Sequence, residues 1–149
     1  MGWNTWKNRS IFQPSNQEAS FPFVSVLRNT SRTIEFYRTK DGKCPTEEFL
    51  DSLNDKEVQK VLWTLRLIER LDRIPSKYFR KLVNADEIWE CRVSTYTGTY
   101  RFFSFFFNGN RLIVTHGYSK KTQKTDPKEI RRAEKYRQEF LSRHKEGRK

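Results

Sequence analysis

The stretch from Glu87 to Lys124 constrains the fold more than any other part of this 149-residue sequence. It contains three extended segments, which read EIWECRV, TYRFFSFFF and RLIVTHGY. Two reversals separate them, at 96–98 and at Asn108-Gly109, and the second is the dipeptide that most favours a two-residue β-hairpin turn. Consecutive strands joined by tight turns pair antiparallel. This stretch therefore predicts the centre of an antiparallel sheet.

Alternation along the first segment separates an apolar face from a charged one. The apolar side carries Trp89, Cys91 and Val93, and the other side carries Glu90 and Arg92, about 6–7 Å apart along a strand. The second segment is apolar on both faces, which is typical of a central strand covered on both sides. Arg101 is the exception there, so it must lie at an open edge of the core or be paired. For Glu90 we favour a salt bridge to Arg92 or Arg101 over a role as general base.

The third segment ends in polar residues and runs into a basic cluster. By its alternation, His116 and Tyr118 share one face with Leu112 and Val114. Between this segment and Asp126 the sequence carries three lysines: Lys120, Lys121 and Lys124. Strand ends that carry cations and proton donors are suited to hold a phosphate group. For His116, a hydrogen-bonded structural histidine and a catalytic one are both open interpretations.

The flanking sequence predicts helices around this sheet. A first strand is predicted over Thr33–Thr39, then a short helix capped by Thr46, then a long helix from about Lys56 to Asp72. The closing helix begins at Pro127 and ends near Arg143. We therefore predict an α+β domain over residues 33–149, in which a small antiparallel sheet packs against a helical pair and a C-terminal helix. Residues 1–32 are polar and aperiodic, and are predicted to form a partly disordered N-terminal extension.

The charge balance indicates an anionic partner. The formal net charge is +12 at pH 7, and such a field attracts RNA, DNA, an anionic membrane surface or an acidic protein. No apolar run reaches the length of a membrane span and no signal-peptide pattern is present, which favours a cytoplasmic protein. The two cysteines, Cys44 and Cys91, lack metal-ligand spacing, so neither a metal site nor a cofactor is expected.

RNA can be cleaved by its own 2′-OH when a base removes the proton, cations stabilise the phosphate and an acid protonates the leaving oxygen. The cations available are Arg92, Arg101, Lys120, Lys121 and Lys124. The candidate proton-transfer groups are Tyr118, His116, Glu90 and a lysine of lowered pKa. Three further basic residues can either line a nucleic-acid groove or be ordinary surface charges: Lys77, Arg80 and Lys81.

These segments resemble the RelE/ParE toxin superfamily, and within it the HigB-like, phage-derived branch. The likeness is carried by EIWECRV, by Tyr100-Arg101-Phe102-Phe103 and by HGYSKKTQKT, which runs from His116 to Thr125. In that branch a WELR strand precedes a YR strand, and the last strand leads into a KKTQKTP run. The segment TIEFYRTKDGKCPTEEFLDSL also resembles the opening of those toxins. The likeness spans roughly Thr33 to Leu141.

The resemblance implies ribosome-dependent, metal-independent cleavage of mRNA and neutralisation by a helix-turn-helix antitoxin (HigA-like). By position, Arg101 matches the family's phosphate-stabilising arginine, and Glu90 and Arg92 match the charged pair of the WELR strand. The family's basic run is matched by Lys120, Lys121 and Lys124. Two departures are Tyr118, where the family usually has Phe, and Asp126, where it has Pro.

We therefore expect an endoribonuclease toxin that acts on ribosome-bound mRNA. Its basic last helix and the patch of Lys77, Arg80 and Lys81 are expected to contact ribosomal RNA. Two alternatives remain open: a toxin of the same fold that poisons DNA gyrase without cutting nucleic acid, and a non-catalytic nucleic-acid-binding accessory protein. Cuts in mRNA that are in phase with codons would distinguish the endoribonuclease toxin from both alternatives.

Overall fold

The computed structural model describes residues 32–120 and 124–146. In chain order the elements of these residues are β1 (Thr33–Phe36), α1 (Pro45–Asp51), α2 (Asp55–Arg70), β2 (Phe79–Lys81), β3 (Trp89–Thr95), β4 (Gly98–Phe107), β5 (Arg111–Lys120) and α3 (Pro127–Glu146). The predicted α+β class is confirmed. The predicted N-terminal extension, apart from Arg32, lies outside the described residues, as does Lys121.

The five described strands form one sheet in the order β1-β5-β4-β3-β2. The pairs from β2 to β5 are antiparallel, as the hairpin signals predict. At one edge β1 pairs parallel with β5. Between these two strands the chain forms α1 and α2 and then β2, β3 and β4. The sheet is thus mostly antiparallel, with its two longest strands, β4 and β5, away from both edges.

Helices cover both faces of the sheet. On one face α1 and α2 bury apolar side chains such as Leu50, Leu62 and Leu65 against Phe102 and Val114. On the other face α3 packs a second apolar cluster around Phe103, Phe105 and Ile113. The aromatic residues of β4 therefore contribute to both layers, as its two apolar faces predict. Within the described residues no helix is long and apolar enough to cross a membrane.

The two helices of the helical pair begin in different ways. Asn54 caps α2 through a reciprocal capping box: its side chain accepts from the Glu57 amide, and Glu57 accepts from the Asn54 amide, each at 2.9 Å. The predicted cap of α1 is wrong. Its N-cap is Cys44, because Pro45 has a φ suited to the first helical position and lacks an N–H that would otherwise have no partner within the helix. Thr46 instead lies inside the helix and is buried, and its hydroxyl oxygen is 3.4 Å from the Val114 carbonyl oxygen.

A bulge in β5 overturns the predicted alternation of that strand. Phe103 pairs with His116 and Ser104 pairs with Val114, so Thr115 is an extra residue with no partner in the ladder. One extra residue reverses the facing of all that follow it. Leu112 and Val114 face the helical pair, whereas His116 and Tyr118 lie on the α3 side.

Two smaller differences concern β2 and the strand ends. Phe79–Lys81 forms a three-residue edge strand that sequence alternation is too short to indicate, and it pairs antiparallel with β3. In addition, β5 extends to Lys120, two residues beyond its predicted end. The extra pair joins Lys120 to Thr99, and this brings the first of the lysines into the sheet itself.

Candidate active site

Strand register brings the predicted charged residues together on the α3 side of the sheet. Arg92, Arg101 and Tyr118 are cross-strand neighbours in one row across β3, β4 and β5. One step along the strands, Glu90 lies opposite Arg80 on β2. One step in the other direction, Lys120 lies opposite Thr99. Directly opposed residues have Cβ atoms about 5 Å apart, so these side chains occupy one continuous patch.

Glu90 lies at the centre of this patch, and we call it with Arg80, Arg92 and Arg101 the Glu90 cluster. Its carboxylate is 3.2 Å from Arg80 Nε, 3.2 Å from Arg101 Nε and 3.7 Å from Arg92 Nε. The predicted salt bridge from Glu90 to the arginines is confirmed. The side chains of Glu90 and Arg101 are 0 % and 5 % exposed, so this is a buried ion pair rather than a surface one.

Among the residues that the structure describes, the Glu90 cluster is short of negative charge and of hydrogen-bond acceptors. One carboxylate faces three guanidinium groups. Arg80 Nε donates a hydrogen bond to it, but the buried Nε atoms of Arg92 and Arg101 make no hydrogen bond to any described residue, despite their proximity to the carboxylate. Buried donors in native proteins are nearly always paired. The cluster is therefore suited to accept a further anion.

Tyr118 lies beside Arg101 and is held in its neutral form. Burial, followed by the negative charge of Glu90, raises the pKa of Tyr118 to about 12. The backbone amide of Asp126 acts in the opposite direction, although the hydroxyl forms no hydrogen bond of ordinary geometry with the described residues. A phenol that stays protonated at neutral pH can donate a proton to a departing oxygen.

Lys120 has the environment expected of a lysine that releases its proton more easily than usual. Burial lowers the pKa of Lys120, and the positive charge of Arg101 lowers it further. The partial desolvation and the like charges both disfavour the ammonium form. A lysine with a lowered pKa can act as a general base, which is one of the candidate roles that the sequence analysis left open.

His116 is enclosed between the sheet and α3. It is 1 % exposed, its Nε2 lies 3.0 Å from a Glu129 carboxylate oxygen and its Nδ1 lies 3.1 Å from the Thr115 hydroxyl. Glu129 would favour a charged ring, but it is shared with Arg132, and burial lowers the pKa of His116 to about 3. The geometry favours the structural one of the two interpretations, in which a neutral histidine joins β5 to α3.

The predicted RNA-binding residues separate into two locations. Lys81 and Lys124 line a cleft of about 530 Å³ that begins at Arg80. Lys77 lies elsewhere: its ammonium is 5.0 Å from the centre of the Tyr78 ring, and its charge is near that of Lys60 on α2. The structure thus places Lys81 and Lys124 in a cleft that shares Arg80 with the Glu90 cluster, whereas Lys77 is in neither. Lys121 lies outside the described residues.

Sequence reasoning missed one member of the site and placed another only in a nucleic-acid groove. Thr125 lies with its hydroxyl 3.4 Å from the second Glu90 oxygen, and no sequence pattern places that loop over the sheet. Arg80 was assigned to a groove rather than to the Glu90 cluster, because β2 was not recognised. Had a strand been predicted over Phe79–Lys81, its pairing with β3 would have placed Arg80 opposite Glu90.

The fold and the site together define a small, basic α+β protein with a cationic, anion-accepting patch at one end of its sheet. A comparison with known families assigns it further. The family described as Phage derived protein Gp49-like (DUF891) matches residues 48–138, more than half of the chain, and the chain belongs to this family. It is a RelE/HigB-type toxin-like family, so the predicted resemblance is confirmed at that level, while membership of the HigB branch stays a prediction. A search of curated proteins found no match to the chain.

Proposed function

We propose that this protein is the toxin of a type II toxin–antitoxin pair and that it cuts ribosome-bound mRNA in the cytoplasm without a metal ion. Its partner would be a helix-turn-helix antitoxin of the HigA-like kind. Membership of a toxin-like family supports the general role. Cleavage is supported by the composition of the site, which contains a phosphate clamp, a proton donor and a candidate base on one surface.

The observation that carries the proposal is the excess of guanidinium over carboxylate in the Glu90 cluster. The buried Nε atoms of Arg92 and Arg101 make no hydrogen bond to a described residue, although they lie beside a carboxylate that they share with Arg80. A phosphodiester supplies one negative charge and two oxygen acceptors, which suits these donors. In the transition state the phosphorane carries a second negative charge, and fixed cations in a partly buried site stabilise it more than they stabilise the substrate.

The groups in this site can account for each bond and each proton transfer in the proposed cleavage. The 2′-oxygen of the upstream nucleotide forms a bond to phosphorus, and the bond from phosphorus to the 5′-oxygen breaks. Lys120, in its neutral form, takes the 2′-OH proton, and Tyr118 gives a proton to the leaving 5′-oxygen. The products are a 2′,3′-cyclic phosphate and a 5′-hydroxyl. The lowered pKa of Lys120 favours its neutral form and the raised pKa of Tyr118 favours its protonated form, which are the directions that this order of events requires.

The remaining residues position these groups. Glu90 holds the three arginines, and His116 fixes β5 against α3 and thereby the strand that carries Tyr118 and Lys120. The basic face of α3, with Arg131 and Lys135 exposed, would contact ribosomal RNA. Lys121 and Lys77 remain proposed contributors to phosphate and RNA binding.

Primer extension on cellular mRNA after brief expression tests the proposal. We expect new 5′ ends in phase with codons within translated regions, together with arrested growth and relief by the co-expressed antitoxin. Intact mRNA with blocked DNA supercoiling would instead indicate a gyrase poison. Intact mRNA with normal growth and salt-sensitive RNA binding would indicate a non-catalytic binding protein. Either of the last two results would contradict cleavage.

A further inference from the structure

A cleft opens next to the Glu90 cluster and is not used by the chemistry proposed above. Its volume is about 530 Å³, within the range of about 300–1,000 Å³ that is usual for small-ligand sites. Residues of β2, of the loop that follows it and of the segment before α3 line the cleft: Arg80, Lys81, Leu82, Val83, Asn84, Lys124, Thr125 and Pro127.

The cleft and the Glu90 cluster form one continuous surface. Arg80 lines the cleft and also lies 3.2 Å from the Glu90 carboxylate, while Thr125 lines the cleft and approaches the other Glu90 oxygen at 3.4 Å. A phosphate held by Arg101 would therefore have a neighbouring group within reach of the cleft. On an RNA strand, that neighbouring group is the adjacent nucleotide.

The lining has the chemistry of a nucleotide site. Lys81 and Lys124 supply positive charge for the backbone. Leu82 is buried and Val83 is fully exposed, so the cleft has an apolar floor and an apolar rim, against which an unstacked base can lie. Asn84 adds an exposed amide, which can both donate to and accept from a base edge.

We propose that this cleft holds the nucleotide next to the scissile phosphate, and that Asn84 selects among its bases. The inference rests on the proposed RNA cleavage and deepens it, because it assigns sequence preference to a place in the fold. The charge of the lining, its continuity with the Glu90 cluster and the single amide beside an apolar surface all favour an RNA base over an acidic peptide.

The first measurement is the base composition around the cleavage sites of the wild type, of Asn84→Ala and of the control Asn110→Ala. Asn110 is an exposed asparagine in the turn between β4 and β5, at the opposite end of β5 from Lys120. We expect Asn84→Ala to reduce the preference at one flanking position by about tenfold, the usual scale for one lost base contact. The Asn110→Ala variant should keep the wild-type preference.

The second measurement does not require cleavage. A trinucleotide RNA whose first two sugars lack their 2′-OH groups, so that neither linkage can be cut, is titrated into the isotope-labelled full chain, and amide shifts are followed by NMR. We expect shifts at residues 81–84 and an affinity about tenfold weaker for Asn84→Ala than for Asn110→Ala. If the wild type leaves mRNA intact but the trinucleotide shifts these amides, the proposed cleavage fails while the nucleotide site stands. If the wild type cuts mRNA but Asn84→Ala keeps its base preference and the amides do not move, the cleft inference alone is overturned.

Discussion

At the scale of single residues, the account depends on Glu90. A carboxylate with no exposed surface is costly to bury alone, and three arginines at 3.2–3.7 Å offset that cost. The same carboxylate keeps Arg101 charged and oriented inside the protein, although burial lowers the pKa of Arg101. The proposed function therefore relies on a contact that also stabilises the fold.

Replacement of Glu90 should destabilise the fold strongly. In Glu90→Gln the buried Arg101 guanidinium loses its counter-charge, and we expect the free energy of unfolding to fall by about 3 kcal/mol or more. The matched control is Glu35→Gln, since Glu35 pairs with Arg111 where both side chains are about one-third exposed. That change should cost less than about 1 kcal/mol. Urea denaturation of the two variants compares them, and equal losses would argue against a buried Glu90 cluster.

Histidine 116 should make stability dependent on pH. Burial lowers the pKa of His116 from 6.5 to about 3, so the unfolded chain binds a proton between these values and the folded protein does not. The stability that depends on neutral His116 is therefore fully present above the unfolded pKa of 6.5 and is lost as the pH falls. We expect a loss of about 1.4 kcal/mol per pH unit below about 6.5. Urea denaturation at several pH values above the titration range of the carboxylates measures this slope. A His116→Gln variant that kept the same slope would contradict it.

At the scale of secondary-structure elements, the bulge at Thr115 assembles the site. Without it, His116 and Tyr118 would face the helical pair, on the opposite side of the sheet from Arg101. The Thr115 hydroxyl donates to the Phe103 carbonyl oxygen at 3.1 Å, which satisfies an acceptor at the point where the ladder is interrupted. The bulge thus places the side chains of His116 and Tyr118 on the same side of the sheet as the Glu90 cluster.

Gly117, two residues beyond the bulge, leaves room for two aromatic rings to pack against β5. A Cβ atom at this position would lie 2.5 Å from a ring carbon of Phe102 and 2.8 Å from one of Phe49. We expect Gly117→Ala to lower the free energy of unfolding by about 1–3 kcal/mol, because two packed rings must move. The exposed neighbour provides the control, since Ser119→Ala should change stability by less than about 0.5 kcal/mol. Thermal or urea denaturation tests both, and an Ala at 117 with wild-type stability would refute the packing argument.

Sequence patterns predicted the elements better than their junctions. Alternation correctly placed Glu90 and Arg92 on a charged face of β3, and the apolar β4 correctly indicated that Arg101 needed a partner. The bulge at Thr115 was missed, because alternation assumes an uninterrupted ladder. The edge strand β2 was missed because three residues are too few to show a period. Both errors concern pairing between strands, which local patterns do not record.

At the scale of the whole molecule, the two faces of the sheet differ in what they carry. One face buries the helical pair in the larger apolar cluster. The other carries α3 and, beside it, the polar end of the sheet with the Glu90 cluster and the cleft. A net charge of +12 surrounds this arrangement and would attract RNA before any specific contact forms.

Binding to RNA should therefore depend steeply on salt, and the cleft lysines should contribute to that dependence. We expect Lys81→Gln to weaken binding of a short RNA at every salt concentration and to reduce the slope of log affinity against log salt by about 1. Lys43 is the control, since it is exposed in the turn before α1, which packs on the other face of the sheet. Fluorescence anisotropy over a range of salt concentrations measures both variants, and equal slopes for the two would count against RNA contact at the cleft.

The central claim is that Arg101 stabilises the charge that develops on the scissile phosphate. The most direct test is the single-turnover rate of mRNA cleavage on the ribosome for Arg101→Ala, with Arg111→Ala as the matched control. Arg111 pairs with Glu35 at the far end of β5, and circular dichroism would verify that both variants fold. We predict that Arg101→Ala cuts about 10²–10³ times more slowly than the wild type while Arg111→Ala cuts at the wild-type rate. A folded Arg101→Ala protein that cuts as fast as the wild type would contradict the account.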